Sequence, residues 1–219
     1  MTKFIILSGK KGHGKNYFAK VVADYLKPKL SVKEVAFADP IKSFCNDVFG
    51  IPYEDMMTLE GKLKLTHIKW SDIYCDIAYD NWCNGNKNAG ADFANSTDWT
   101  ASDKYLTVRE VLQIIGTDVW RERFYRQIWA EAPFRKQHKE DIVIITDCRF
   151  PNELQCGHQF GAVPVRIVKP GVISNDPHPS ETSLDNYSWG DNEVFINDAD
   201  GPDKIVLYTA TTLLPKLGL

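Results

Sequence analysis

No cysteine in this chain has a neighbour at metal-binding or redox spacing. Cys45, Cys75, Cys83, Cys148 and Cys156 lie far apart, their count is odd, and none forms a C-x-x-C pair or joins a histidine cluster. That pattern argues against a zinc site or a disulfide framework and for reduced thiols in a cytoplasmic protein. Long apolar runs are also lacking. The opening stretch MTKFIILSG is too short for a signal peptide, and nothing approaches the length of a membrane span. There is no excess of one charge: 26 Lys and Arg stand against 29 Asp and Glu, a formal net charge of −3. Nothing therefore points to a surface for nucleic acid. A convincing His–carboxylate pair is missing too. His178 and Glu181 sit in a loop rich in Pro, Ser, Asp and Asn, a composition that suits a lid better than a general base. The chain has no internal repeat, and its 219 residues suffice for one α/β domain with an inserted subdomain.

What is present begins at once. Phe4, Ile5, Ile6 and Leu7 form a continuous apolar run, as in a strand buried on both faces. Gly9, Lys10, Lys11, Gly12, His13, Gly14, Lys15 and Asn16 follow, matching the phosphate loop G-x4-G-K-[S/T] except at the last position. The glycines allow a tight turn whose N–H groups converge on an anion, the next helix adds its positive end, and Lys15 adds a mobile cation. Asn16 replaces the hydroxyl that normally ligates Mg²⁺; its carbonyl oxygen or a held water is a weaker substitute. The dinucleotide fingerprint fits poorly, because the glycines read G-x-x-G-x-G and Lys15 has no role in it.

Periodicity predicts a helix over 15–26, a strand over 33–37, a helix over 41–49 after Pro40, and an inserted region over 51–105. Within that region an amphipathic helix is expected over 65–79, followed by a polar run over 84–104. Thr107 and Glu110 form a capping box that starts a helix ended by Gly116; a second helix is expected over 118–132. A buried strand over 142–145 ends at Thr146-Asp147-Cys148-Arg149. A helix over 152–160, a strand over 163–168, a lid-like loop over 170–192, a strand over 194–196 and a helix over 204–217 broken near Pro215 complete the chain. Strands alternating with helices imply a parallel sheet with helices on both faces.

Three constellations carry candidate chemistry. Asp147, just past a strand's carboxyl end, stands where an acidic residue holds Mg²⁺, or else caps the next helix; Arg149 can reach a phosphate or make a surface ion pair. Arg109, Arg121, Arg123 and Arg126 are dense around the helix break. Arg109 and Arg121 suit ligand contact, Arg109 sharing a helix face with Gln113, while Arg123 and Arg126 suit a solvated face. Trp120 either stacks on a base or fills a core. Asp39, ahead of Pro40 and Lys42, is an N-cap or a ligand contact.

LSGKKGHGK, FADPIK, VREVLQIIGTDVWR, IITDCRFPNE, VKPG with HPSE, and INDA, in this order, resemble the bacteriophage deoxynucleoside monophosphate kinases. The resemblance thins over 51–105. It implies a P-loop NTPase-type fold over 1–219, with ATP and Mg²⁺ as cofactors and a deoxynucleoside monophosphate as acceptor. It further implies phage DNA precursor synthesis in the cytoplasm of the infected host, and a homodimer. On it, Gly9 to Asn16 cradle the ATP phosphates. Asp39, Lys42, Arg109, Gln113, Gly116, Thr117, Asp118, Trp120 and Arg121 line the acceptor site, and Lys15, Arg109, Asp147 and Arg149 act in transfer. The metal rests on Asp147 and Asn16. Two other expectations stay open: a P-loop kinase for another small acceptor, and a non-catalytic nucleotide switch.

Overall fold

The computed structural model describes residues 1–73, 104–172, 179–190, 192–198 and 201–219. It divides into two compact units, Met1–Asp39 with Trp129–Leu219, and Pro40–Ile128. The inserted region expected over 51–105 falls within the second.

The first unit is built on a five-stranded sheet in the order β2-β5-β1-β6-β7, every neighbouring pair parallel. The strands are β1 (Lys3–Ser8), β2 (Val32–Val35), β5 (Ile142–Cys148), β6 (Val163–Val168) and β7 (Val194–Ile196). Side chains alternate across a sheet, so the apolar run of β1 serves both faces. Ile5 and Leu7 join Phe18 and Val22 of α1 (Lys15–Leu26), together with Ile205, Leu213 and Leu217. Phe4 and Ile6 face the other way, onto Phe134 and Leu154. Each such side chain is worth about 1.5–3 kcal/mol when fully buried. The parallel register brings strand ends level: Ser8 lies opposite Cys148 on one side and Arg166 on the other. The connection leaving β1 therefore starts between the carboxyl ends of β5 and β6, where open α/β sheets bind ligands.

The second unit holds α2 (Asp39–Phe49, from Pro40 on), an antiparallel pair β3 (Leu65–Lys69) and β4 (Tyr105–Thr107), and α3 (Val108–Gln113). Its core is separate, gathering Cys45, Met56, Trp70, Leu106, Val108 and Ile114.

Several expectations need correction. Residues 65–69 are a strand because they find a partner in β4: Leu65 pairs with Thr107, Lys69 pairs with Tyr105, and the Thr66 hydroxyl donates to the Leu106 carbonyl at 2.9 Å. Residues 74–79 of the expected helix, the polar run over 84–103, and His178 lie outside the described residues. Gly116 does not stop the helix. Its φ is not positive, and the chain continues through a π-helical stretch, Ile114–Arg121. The following helix is α4 (Ile128–Arg135), later than expected. After it come α5 (Pro151–Gln159), α6 (Pro179–Thr182), α7 (Gly201–Tyr208) and α8 (Leu214–Leu217). Pro215 does not break the last helix. The wide turns of Thr209–Leu213 just ahead of it absorb the missing N–H and the ring. Among the described residues no helix is long and apolar enough to cross a membrane.

Candidate active site

The glycine-rich turn after β1 departs from ordinary backbone at three glycines, Gly9, Gly12 and Gly14, with φ of +151°, +85° and +89°. Gly9 is constrained twice over. A Cβ there would lie 2.6 Å from the Ile167 carbonyl oxygen. Gly14 caps α1 in the left-handed conformation and passes close against the Asn197 side chain. The turn is anchored from strand ends far along the chain. Asn197 donates from Nδ2 to the His13 carbonyl at 2.8 Å, and its own N–H bonds the Val168 carbonyl at 2.8 Å. The His13 ring is buried, with Nδ1 3.1 Å from the Ile167 carbonyl oxygen and Nε2 3.2 Å from that of Val172. His13 thus contributes to the loop through its shape and its anchoring ring.

Lys15 opens α1 and folds back over the loop, its Nζ donating to the Gly9 carbonyl at 2.6 Å and the Lys10 carbonyl at 3.1 Å. Burial lowers its pKa from the ordinary lysine value. The Arg149 and Arg166 guanidiniums push the same way, against Glu181 and Asp147. Lys15, Arg149 and Asp147, chosen from sequence, therefore gather at one place. Asn16 is exposed on the first turn of α1.

Asp147 is inside β5 rather than past its end, and it does not cap the following helix, whose amino end is held by Glu153. The Glu153 carboxylate accepts the Arg149 N–H at 2.7 Å and the Phe150 N–H at 3.1 Å. Asp147 instead reaches across to the connection after β2. It accepts the Phe37 N–H at 2.7 Å and, more weakly, the Ala38 N–H at 3.4 Å. Among the described residues no group of three or more His, Cys, Asp or Glu is arranged to hold an ion alone. This donor set suits a cation that arrives with phosphates, as Mg²⁺ does, through one or two carboxylates plus substrate oxygens.

Sequence reasoning missed the residues that surround the loop. Glu181, 9% exposed, accepts the Lys11 N–H at 2.9 Å with one oxygen and pairs with the Arg149 guanidinium through the other. Burial alone would raise its pKa. The Lys11 N–H and Arg149 outweigh that and hold the carboxyl below the ordinary glutamate value. Asp185 binds the Lys10 ammonium at 2.8 Å and Arg166 at 3.3 Å, while Arg166 also donates to the Ser8 hydroxyl at 3.0 Å. The quoted motifs HPSE and INDA contain two of these anchors, Glu181 and Asn197. Nothing in their spacing could have told which loop they would meet.

Three residues of the second unit answer to the acceptor-site expectation differently from the rest. Arg109, Gln113 and Thr117 recur every four residues along α3 and its π-helical continuation, and with Leu112 and Lys62 they line a cavity of about 310 Å³. The Thr107–Glu110 capping box is present as expected and starts that helix: the Thr107 N–H donates to Glu110 at 2.7 Å, and the Glu110 N–H donates back to the Thr107 hydroxyl at 3.2 Å. Lys62, on the short turn Gly61–Leu63, was not anticipated. Gly116, Asp118, Trp120 and Arg121 are on the same helical run but do not line this cavity. Trp120 is half-buried and packs edge-on against Phe44 and Phe124, and its indole N–H and the Arg121 Nε are both buried without a hydrogen-bond partner. Arg123 and Arg126 are exposed, as a solvated face requires. Lys42 meets Met57 Sδ at 3.3 Å, and Asp39 turns back to the Ala36 N–H at 2.7 Å, an N-terminal bond for α2.

A parallel sheet whose first strand opens into a glycine loop, a lysine and a helix is the architecture of the P-loop kinases. The chain belongs to the deoxynucleotide monophosphate kinase family, whose model matches residues 46–201. It is therefore a kinase, a phosphotransferase. It is 24% identical over 214 residues to the deoxynucleoside-5′-monophosphate kinase of Escherichia phage T5, covering 84% of this chain and 86% of that one. It is 25% identical to the deoxynucleotide monophosphate kinase of Enterobacteria phage T4, covering 83% and 88%. A protein of Acanthamoeba polyphaga mimivirus is 25% identical over 193 residues, covering 81% and 80%.

Proposed function

We propose that the chain transfers the γ-phosphoryl group of ATP to the 5′-phosphate of a deoxynucleoside monophosphate, giving ADP and the deoxynucleoside diphosphate, in the supply of phage DNA precursors. The observation that carries this reading is the meeting of Lys15 and Arg149 at the glycine loop: Lys15 Nζ donates to the Gly9 and Lys10 carbonyls, and Glu181 joins the Lys11 N–H to the Arg149 guanidinium. Such a pair serves a reaction that needs charge neutralisation more than proton transfer.

The chemistry makes that demand. The bond from the γ-phosphorus to the bridging oxygen of ADP breaks while a bond to an acceptor phosphate oxygen forms, and the leaving electron pair stays on the ADP β-phosphate. The acceptor monoester has a second pKa of about 6, so at neutral pH it is already a dianion and needs no base. What is required is to bring two anions together in line. The loop N–H groups and Lys15 would receive the ATP phosphates, and Arg149 would follow the charge onto the transferred group. Asp147 and Asn16 would hold the Mg²⁺ that accompanies the nucleotide, which supplies further neutralisation of the phosphates when bound. Arg109 and Lys62 would take the acceptor's phosphate in the second unit's cavity, with Gln113 and Thr117 as neutral hydrogen-bonding groups and Leu112 as an apolar wall.

The test is a coupled ADP-release assay with ATP, Mg²⁺ and every common nucleoside monophosphate, deoxy and ribo, together with the modified bases of phage DNA. ADP release that depends on a deoxynucleoside monophosphate is the expected result. ADP release that ignores the acceptor would refute the assignment.

A further inference from the structure

We propose that Glu181 is a positioning residue that fastens Arg149 to the phosphate loop, so that the arginine and the loop move as one body during phosphoryl transfer. This rests on reading Arg149 as the group that meets the transferred phosphoryl.

A nearly buried carboxylate must be fully paired, or it costs more than it contributes. Glu181 is 9% exposed and divides its two oxygens between two different objects. One oxygen accepts a main-chain donor of the loop itself, the Lys11 N–H at 2.9 Å. The other accepts the guanidinium of Arg149, which stands on the turn after β5. The main-chain end matters most. A side-chain ion pair alone would tether one flexible arm to another, whereas the Lys11 N–H belongs to a turn already pinned by Gly9, His13 and Asn197. Glu181 therefore transmits the position of the turn to a side chain that is itself 37% exposed and long enough to wander.

The same segment repeats the device four residues on, where Asp185 joins Lys10 of the loop to Arg166 within β6. Two carboxylates from one stretch of chain thus each link the loop to an arginine, Arg149 just after β5 and Arg166 within β6. Arg149 has a second support, since Glu153 takes its main-chain N–H at 2.7 Å. Glu153 sets where the Arg149 backbone begins, and Glu181 sets where its side chain ends. Misplacing a catalytic group by about 1 Å can cost on the order of 100-fold in rate, so loss of the second support is a kinetic event even where the fold survives.

The variants are Glu181→Gln, Glu181→Asp, Arg149→Ala and the double Glu181→Gln/Arg149→Ala, assayed on the full chain. Glutamine keeps the shape and can still accept the Lys11 N–H, but it loses the charge that holds the guanidinium. Glu181→Gln is expected to lower kcat by about 10- to 100-fold while the KM for ATP stays within about threefold, and Glu181→Asp to recover part of the loss. In the Arg149→Ala background, Glu181→Gln should change kcat by less than about twofold, because its effect passes through the arginine. An equal loss in both backgrounds, or a rise in KM for ATP with kcat unchanged, overturns the proposal. A wild-type chain with no turnover on any acceptor would defeat the kinase reaction instead. The link would then be judged by urea unfolding of the same four proteins, non-additive effects supporting it and additive effects overturning it.

Discussion

Replacing Asp147 separates its structural link to Phe37 from the metal-holding role proposed for it. Its oxygen accepts the Phe37 N–H at 2.7 Å, and Phe37 is 4% exposed, so water is a poor substitute partner. A hydrogen bond to a charged group contributes about 1.5–3 kcal/mol, and a buried donor left unpaired costs about 1–3 kcal/mol. The Ala38 N–H at 3.4 Å adds little by comparison. Asp147→Ala should therefore destabilise by about 2–3 kcal/mol. Asp147→Asn keeps a carbonyl acceptor for Phe37 but not its charge; charge-assisted bonds are roughly twice as strong as neutral ones, which leaves a loss of about 1 kcal/mol. For a chain of this length about 2–4 °C accompanies each kcal/mol, so Tm should fall by about 2–4 °C for Asn and about 4–12 °C for Ala. The assay is thermal unfolding followed by circular dichroism, without nucleotide and with EDTA present. Under those conditions any role in holding Mg²⁺ is silent and only the link from β5 to the β2–α2 connection is read. An Asp147→Ala protein that melts within about 1 °C of wild type would refute the reasoning, since one degree is less than a single lost hydrogen bond predicts. In the transfer assay, Asp147→Asn should then need more Mg²⁺ for half-maximal rate, a separate observable for the proposed metal-holding role.

Lys15→Ala and Arg149→Ala should both sharply lower phosphoryl transfer, the arginine change leaving a residual rate about 10³-fold below wild type, as for other arginines acting on such transition states. Arg149→Ala should leave ATP binding by calorimetry nearly intact; turnover of that variant at the wild-type rate would remove Arg149 from the transfer centre. Gly9→Ala places a side chain at a φ of +151° and 2.6 Å from the Ile167 carbonyl, the same carbonyl that faces the His13 ring. A destabilisation of about 1–3 kcal/mol is expected in chemical unfolding, with weakened ATP binding. Glu181 sets an acid limit. Its folded pKa lies below the unfolded value, so its stabilisation is complete above the unfolded glutamate pKa of about 4.3 and is lost as pH falls through the lower folded value. The Tm gap between wild type and Glu181→Gln should accordingly hold constant from neutral pH down to the mid-fours and close below that.

Much of the fold could be read from local pattern because local physics decided it. The buried runs of β1 and β5, the strand Val163–Val168 and the Thr107–Glu110 capping box need only their own residues to be recognised. The phosphate loop is equally local, since its glycines, lysine and helix are contiguous. Where distant partners decide, pattern fails. Leu65 and Ile68 suit a helix face as well as a strand, and only pairing with β4, some forty residues away, separates the two. A glycine such as Gly116 stops a helix in one context and continues it in another, and its backbone angle is not written in its neighbours. Asp147 looked like a cap or a metal ligand because its third option, the N–H groups of Phe37 and Ala38, is 110 residues upstream. Glu181 reaches Lys11 across 170 residues, a link that no spacing rule contains.

The anchors of the phosphate loop also order events in time. Its curvature depends on Ile167, Val172 and Asn197, all in the last quarter of the chain. A nascent polypeptide leaves the ribosome amino end first, so the loop residues emerge early and wait through the synthesis of most of the protein for the strands that shape them. Until β7 has been translated and has docked, the chain carries the signature of a nucleotide site without the site. On the kinase reaction proposed above, a chain without β7 would neither be stabilised by ATP nor spend it, so nucleotide binding would report that this strand has docked.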